Sequence, residues 1–314
     1  MQLFLSNVVT AFTQVVILFL VAMVGLFCHK KGIYTEKASR LTTDLLFYIV
    51  APAIIIRSFL GMEFNRDTLG GLLKALLGGI FFHIVGMIFA KVLFNKSDKD
   101  TACIFKYACC YGNVGYMALP LAQAVLGDEG IFYCSVILVP FNVLSFTHGV
   151  NIMQKKGENE KFDYKKLIVN PGVLGVAIGL PLFLLQIDLP EIIYAPVSYI
   201  ADLNTPLAMV MFGTYLAAAD WKTIFSDKRI FGSALVKIIL VPLITVVTLK
   251  FVGFGGTLLV ACVLSASAPT ASNTVMFAAK YDRDTGLASK VTSFVSVLSI
   301  ITMPVMIAIA QSLQ

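Results

Sequence analysis

Tyr111-Gly112-Asn113-Val114-Gly115-Tyr116-Met117-Ala118-Leu119-Pro120 and Ser265-Ala266-Ser267-Ala268-Pro269-Thr270-Ala271-Ser272-Asn273-Thr274 decide the reading of this chain. Each sets a proline, an asparagine and small residues inside an otherwise apolar stretch. Proline removes a backbone donor and its ring crowds the preceding turn, so carbonyls and N–H groups lose their helical partners. Hydrocarbon cannot satisfy those groups, so such backbone lines a cavity or is buried in protein. Interrupted helices in matching places of two repeats point to the substrate site of a secondary transporter.

The rest of the sequence has the composition of a membrane protein. It has 314 residues, of which 58% are hydrophobic and 13% charged, against about 25% charged in a soluble domain. Mean hydropathy is +0.86. The net charge of +6 comes from lysines in short gaps between apolar runs, not from a basic cluster interleaved with aromatics, so no nucleic-acid partner is expected. Cys28, Cys103, Cys109, Cys110, Cys134 and Cys262 fall in or beside apolar stretches without metal-ligand spacing, so neither a disulfide framework nor a metal site is expected. The first apolar run lacks a basic start and a small-residue cleavage site, so it reads as a retained membrane helix.

A span needs roughly 20 mainly apolar residues. On that scale ten segments qualify: 7–28, 41–60, 69–94, 102–126, 129–153, 167–187, 193–217, 230–252, 256–280 and 286–311. The interrupted segments are the fourth and ninth. Lys30, Lys31, Lys37, Arg40, Lys155, Lys156, Lys222, Lys228 and Arg229 all fall in odd gaps, while even gaps hold Arg66 and acidic residues such as Asp128 and Glu191. The positive-inside rule then puts the odd gaps in the cytoplasm and both termini outside. The expected fold is therefore an all-α polytopic membrane protein, N-out and C-out. A lysine-rich cytoplasmic linker, 154–166, separates a five-helix repeat, 1–153, from a second, 167–314. Five is odd, so a duplication yields an inverted repeat.

Ala51-Pro52-Ala53, Gly112-Asn113, Leu119-Pro120-Leu121, Asn170-Pro171, Thr205-Pro206-Leu207-Ala208, Ala268-Pro269 and Ser299-Ile300-Ile301-Thr302-Met303-Pro304 run through nearly the whole chain. In these motifs and their order the chain resembles the auxin efflux carrier family, the PIN-like membrane transporters. The resemblance implies ten helices in two inverted repeats, with helices 4 and 9 crossing at their prolines. A scaffold of helices 1, 2, 6 and 7 would carry a transport domain of helices 3–5 and 8–10. It also implies export or exchange of small organic anions, carboxylates or auxin-like acids, across the plasma or inner membrane, without a cofactor.

The candidate substrate residues are Asn113 with Gly112 and Gly115, then Asn273 with Ser272 and Thr274, and Asn142 in the fifth helix. An asparagine amide beside a half-helix N-terminus offers donors to a carboxylate, and it equally well satisfies the broken backbone. Asn142 serves as an interhelical contact or a substrate contact. Pro120 and Pro269 are expected to shape the crossing. His83 and Asp202 are the ionisable candidates for coupling, with Lys237 as a counter-charge for Asp202. The Gly175–Gly179 pair permits close packing within the bundle, or a homodimer through the scaffold helices. The competing reading is a membrane sensor that binds a ligand without moving it. No enzyme motif, metalloprotease or nucleophile-elbow, is present, so no enzyme is expected.

Overall fold

The structure is a computed structural model that describes residues 2–95, 98–154, 170–218 and 227–313. Among these, every regular element is helical, apart from one isolated β-bridge. Helix α1 is Gln2–Lys30 and α2 covers 36–60. Helix α3 is Arg66–Phe94, opened by a reciprocal capping box between Asn65 and Thr68. Helix α4 is Lys99–Cys110; after a break come α5, 114–126, and α6, 128–153. Gly127 divides these last two with φ 65° and ψ −154°, a conformation that favours glycine. Helix α7 is Pro171–Leu184, α8 Glu191–Asp202 and α9 Asn204–Ala218. Helix α10 covers 228–251, α11 is Gly256–Ser267, α12 Asn273–Lys280 and α13 Thr285–Ser312.

Among the described residues, six helical stretches are long and apolar enough to cross a membrane: Phe12–Lys30, Lys37–Leu60, Arg66–Phe94, Val114–Met153, Lys228–Phe251 and Thr285–Ser312. Pro171–Leu184 and Gly256–Ser267 are apolar but shorter. The difference from ten expected spans has a physical origin. The fourth and ninth segments are cut at 111–113 and 268–272, and the seventh is interrupted at Leu203. There Pro206 has no N–H to give the carbonyl of Asp202. The start of the sixth segment and the linker beyond Gln154 lie outside the described residues.

Prolines also shape helices that do not break. In α2, α5 and α10 a widened π turn, Leu46–Val50, Val114–Ala118 and Val236–Leu240, ends two residues before Pro52, Pro120 and Pro242 respectively. A proline ring clashes with the carbonyl four residues earlier, here the middle of each widened turn. Bonding five residues apart relieves the clash, and such turns recur at functional sites. A fourth wide turn, Ser145–Gly149, lies in α6.

Packing relies on glycine at several crossings. A Cβ on Gly25 of α1 would lie 1.9 Å from Val210 O, and one on Gly213 of α9 only 1.8 Å from Ala22 O, so these two helices touch backbone to backbone. Gly175 and Gly179 of α7 lie against Pro52, Ile55 and Phe59 of α2, a contact inside the bundle. The centre belongs to the two interrupted segments. All residues from Leu258 to Ala271 are buried, and so is most of α4. Helices apolar on every face are buried ones.

Candidate functional site

The two breaks meet. Gly112 and Thr270 form the antiparallel bridge. The Asn113 N–H donates to Pro269 O at 2.6 Å and the Ala271 N–H to Tyr111 O at 2.9 Å. The Thr270 hydroxyl donates to Ala108 O at 3.2 Å. Each break thus supplies partners that the other lost, which lets unwound backbone persist in an apolar core. Only glycine fits at position 112: a Cβ there would lie 2.9 Å from both Ala268 O and Lys237 Nζ. Pro269 sits at the crossing. Pro120 does not; it lies two residues beyond the wide turn of α5, so the expectation of a crossing at both prolines is corrected to one.

A cavity of about 1730 Å³ opens beside the crossing. Asn113, Gly115, Ser272, Asn273 and Asn142 line it, together with residues of the wide turns Leu46–Val50, Val114–Ala118 and Ser145–Gly149. The side-chain oxygen of Asn113 accepts from Tyr116 N at 3.1 Å and caps α5. Its amide nitrogen reaches Ser272 Oγ at 3.4 Å, a long contact that joins the two half-helices. Next to this pair, among the described residues, the backbone N–H groups of Gly115 and Asn273 have no acceptor, and the Asn273 side chain has no partner. Two helix N-termini with free donors therefore face one cavity, the arrangement that attracts anions.

A third helix start at the cavity is closed from within. Asn170 Oδ1 accepts from Gly172 N at 3.0 Å and Val173 N at 3.3 Å, and Pro171 has no N–H. The Asn170 amide donates to Asn142 Oδ1 at 3.2 Å, which makes Asn142 an interhelical contact and leaves its own amide nitrogen without a hydrogen bond. The charged side chains lining the cavity are Asp44 and Lys280.

Other expected site residues lie elsewhere. Gly112 and Thr274 are buried behind the cavity wall, and the Thr274 hydroxyl has no partner. His83 is buried; its Nδ1–H donates to Gly79 O at 2.6 Å while Nε2 is unpartnered. Asp202 and Lys237 do not meet. Asp202 Oδ1 instead accepts from Arg57 Nη1 at 2.5 Å, and Lys237 Nζ donates to Ala266 O at 2.7 Å. Arg57 is not among the residues singled out by sequence, although an arginine inside an apolar span is a signal. Arg57 also reaches Ser198 and Gln123 at 3.4 Å, with Asp128 at 3.7 Å. It thereby ties α2 and α8 to the far end of α5.

Among the described residues no group of three or more metal-ligating side chains occurs, and all six cysteines are free.

The model of a family described as membrane transport protein matches residues 10–164 and 159–307. A "Putative malonate transporter" of Rhizobium meliloti is 24% identical over 245 residues, covering 75% of this chain and 76% of its own. An uncharacterized transporter of Methanocaldococcus jannaschii is 24% identical over 215 residues, covering 65% of this chain and 68% of its own. Both relatives are named as transporters, which gives the sensor reading no support. The chain is a multi-pass membrane protein and belongs to the membrane transport protein family, the auxin efflux carriers that its motifs resemble.

Proposed function

We propose that this protein is a secondary carrier of small organic anions, carboxylates in the first place, working by alternating access around the crossed breaks. One observation carries the reading: among the described residues, the free N–H groups of Gly115 and Asn273, at the N-termini of α5 and α12, belong to the wall of one large cavity. A carboxylate needs several convergent donors, and helix N-termini supply them with a favourable dipole. Asn113, Ser272 and Asn273 would contact the substrate, Asn142 would add its unbonded amide, and Lys280 would draw anions to the mouth. The name of the Rhizobium relative makes malonate the first substrate to try.

The frame that goes with this reading has ten transmembrane segments in two inverted repeats, 1–153 and 167–314. Helices α4–α5 form the fourth segment, α8–α9 the seventh and α11–α12 the ninth. Helices α1, α2 and α7–α9 would be the scaffold; α3–α6 and α10–α13 would move against it. The packing of α1 along α9, and of α2 along α7, supports a coherent scaffold. Gln154 and Lys280 line the cavity next to gaps expected in the cytoplasm, so the cavity would open inward with both termini outside. Arg57, anchored within the scaffold by Asp202, would hold the outer side closed through Gln123 and Asp128 of the transport domain, which gives Asp202 a positioning role in place of coupling.

The test is uptake of radiolabelled malonate, malate and indole-3-acetate into proteoliposomes, under imposed potential, pH and sodium gradients. Saturable flux is expected in the wild type. In Asn113→Ala it should fall about tenfold or more, as expected when charged hydrogen bonding is lost. Normal flux in that variant would move the site elsewhere, and no flux under any gradient would remove the carrier reading.

A further inference from the structure

Lys237 is a fully buried lysine that the anion site does not use. It lies in the wide turn Val236–Leu240 of α10, with no exposed surface. Its ammonium donates to Ala266 O at 2.7 Å, in the last turn of α11. The same nitrogen would be 2.9 Å from a Cβ on Gly112, so it touches the crossing behind the cavity. The titratable groups facing it are the thiols of Cys109 and Cys110 at the end of α4 and the imidazole of His83 on α3. Among the described residues no carboxylate pairs with it.

A buried ammonium without a carboxylate is costly unless something else balances its charge. Here the balance comes from backbone. Helices α4 and α11 both end at the crossing, at Cys110 and Ser267. Each C-terminus carries about half an elementary negative charge on carbonyls without helical partners. Two such ends meeting around a small space make a site for a monovalent cation, the usual place for sodium in carriers built on discontinuous helices.

We propose that the crossing is a monovalent-cation site and that Lys237 fills it permanently with its own ammonium. The Ala266 carbonyl at the end of α11, beside the end of α4, holds a covalently tethered cation where an ion would otherwise bind and leave. Sodium then has no role at this place, and the crossing keeps its geometry whatever the salt. Removing the amine creates an empty site for sodium or for a small ammonium ion. This rests on the crossing and not on flux, so a protein that moves no carboxylate still obeys it.

The experiment is thermal stability by size-exclusion of detergent extracts, in choline, sodium, potassium and methylammonium chloride. Wild type should melt at one temperature in all four salts. Lys237→Ala should melt lower in choline and regain about 5 °C or more in methylammonium or sodium, as a ligand that binds only the folded state requires. Lys237→Met, whose apolar tail occupies the space, should stay low in every salt. The proposal is overturned if sodium shifts the wild type or if Lys237→Ala aggregates equally in all four salts. Lys237→Met as stable as wild type would also overturn it.

Discussion

Asn113 does two things with one side chain, and the two separate by substitution. Its oxygen caps α5 through Tyr116 N, and its nitrogen reaches across to Ser272. Asn113→Asp keeps the cap, whose loss typically costs about 1 kcal/mol, but replaces a donor with a charge that repels anions. Asn273 has no cap to lose, because among the described residues neither its side chain nor its N–H has a partner. Asn273→Asp is therefore the cleaner probe. It should leave the melting temperature close to wild type and weaken carboxylate binding by roughly tenfold or more, the loss of a charge-assisted contact. Titration calorimetry with malonate checks it, and unchanged affinity would take α12 out of the site. Both asparagines stand out in the sequence because a polar amide inside an apolar run broken by proline and small residues has few reasons to be there, and both line the cavity. The roles of Lys237 and Arg57 were not legible there, since each depends on a partner on another helix. Arg57 and Asp202 are 145 residues apart, and no local spacing announces such a meeting.

At the scale of elements, the breaks were readable and their geometry was not. Glycine and proline in apolar runs mark where a helix fails. They do not say that the join falls on Gly112 and Thr270, or that Pro120 acts earlier, on the wide turn of α5. Contacts between helices were legible only where small residues are spaced for them, as Gly175 and Gly179 are against α2. The closest approach, between α1 and α9, rests on two glycines 188 residues apart in sequence (213 minus 25) that show no pattern together. Gly213→Val puts a side chain on a backbone carbonyl, which cannot move aside as a rotamer does. It should cost about 3 kcal/mol and lower the melting temperature by roughly 5 °C. Gly70 of α3 has open space at its Cβ position, so Gly70→Ala should be neutral or stabilising by up to about 1 kcal/mol. Equal effects of the two substitutions in a melting experiment would mean that α1 and α9 are not in backbone contact.

For the whole molecule, the cavity and the Arg57 cluster lie at opposite ends of α5, and under the proposed alternating access this asymmetry is one conformational state. The cavity reaches Gln154 and Lys280 at one end of the bundle. At the other, Arg57 of α2 joins Asp202 and Ser198 of α8 to Gln123 of α5. A carrier that alternates must open that junction to face outward, because it bridges the proposed scaffold and transport domain. Arg57 is largely buried while Asp202 is 66% exposed. The contacts of Arg57 that cross to the transport domain, Gln123 at 3.4 Å and the half-exposed Asp128 at 3.7 Å, are long and partly screened, so their loss should shift the equilibrium by about 1 kcal/mol rather than several. That corresponds to roughly a fivefold change in the ratio of open to closed forms. The reporter is Tyr116→Cys, at a residue that lines the cavity, labelled by an impermeant maleimide added outside. Cys28, the one native cysteine that is not buried, is replaced by serine for this measurement. Arg57→Gln should raise the labelling rate by about that fivefold factor. Asp128→Asn should change the rate less, because Asp128 stands 3.7 Å from the guanidinium. Labelling unchanged by Arg57→Gln would mean that the outer side is closed by packing alone, and that Arg57 holds α2 to α8 without taking part in the gate.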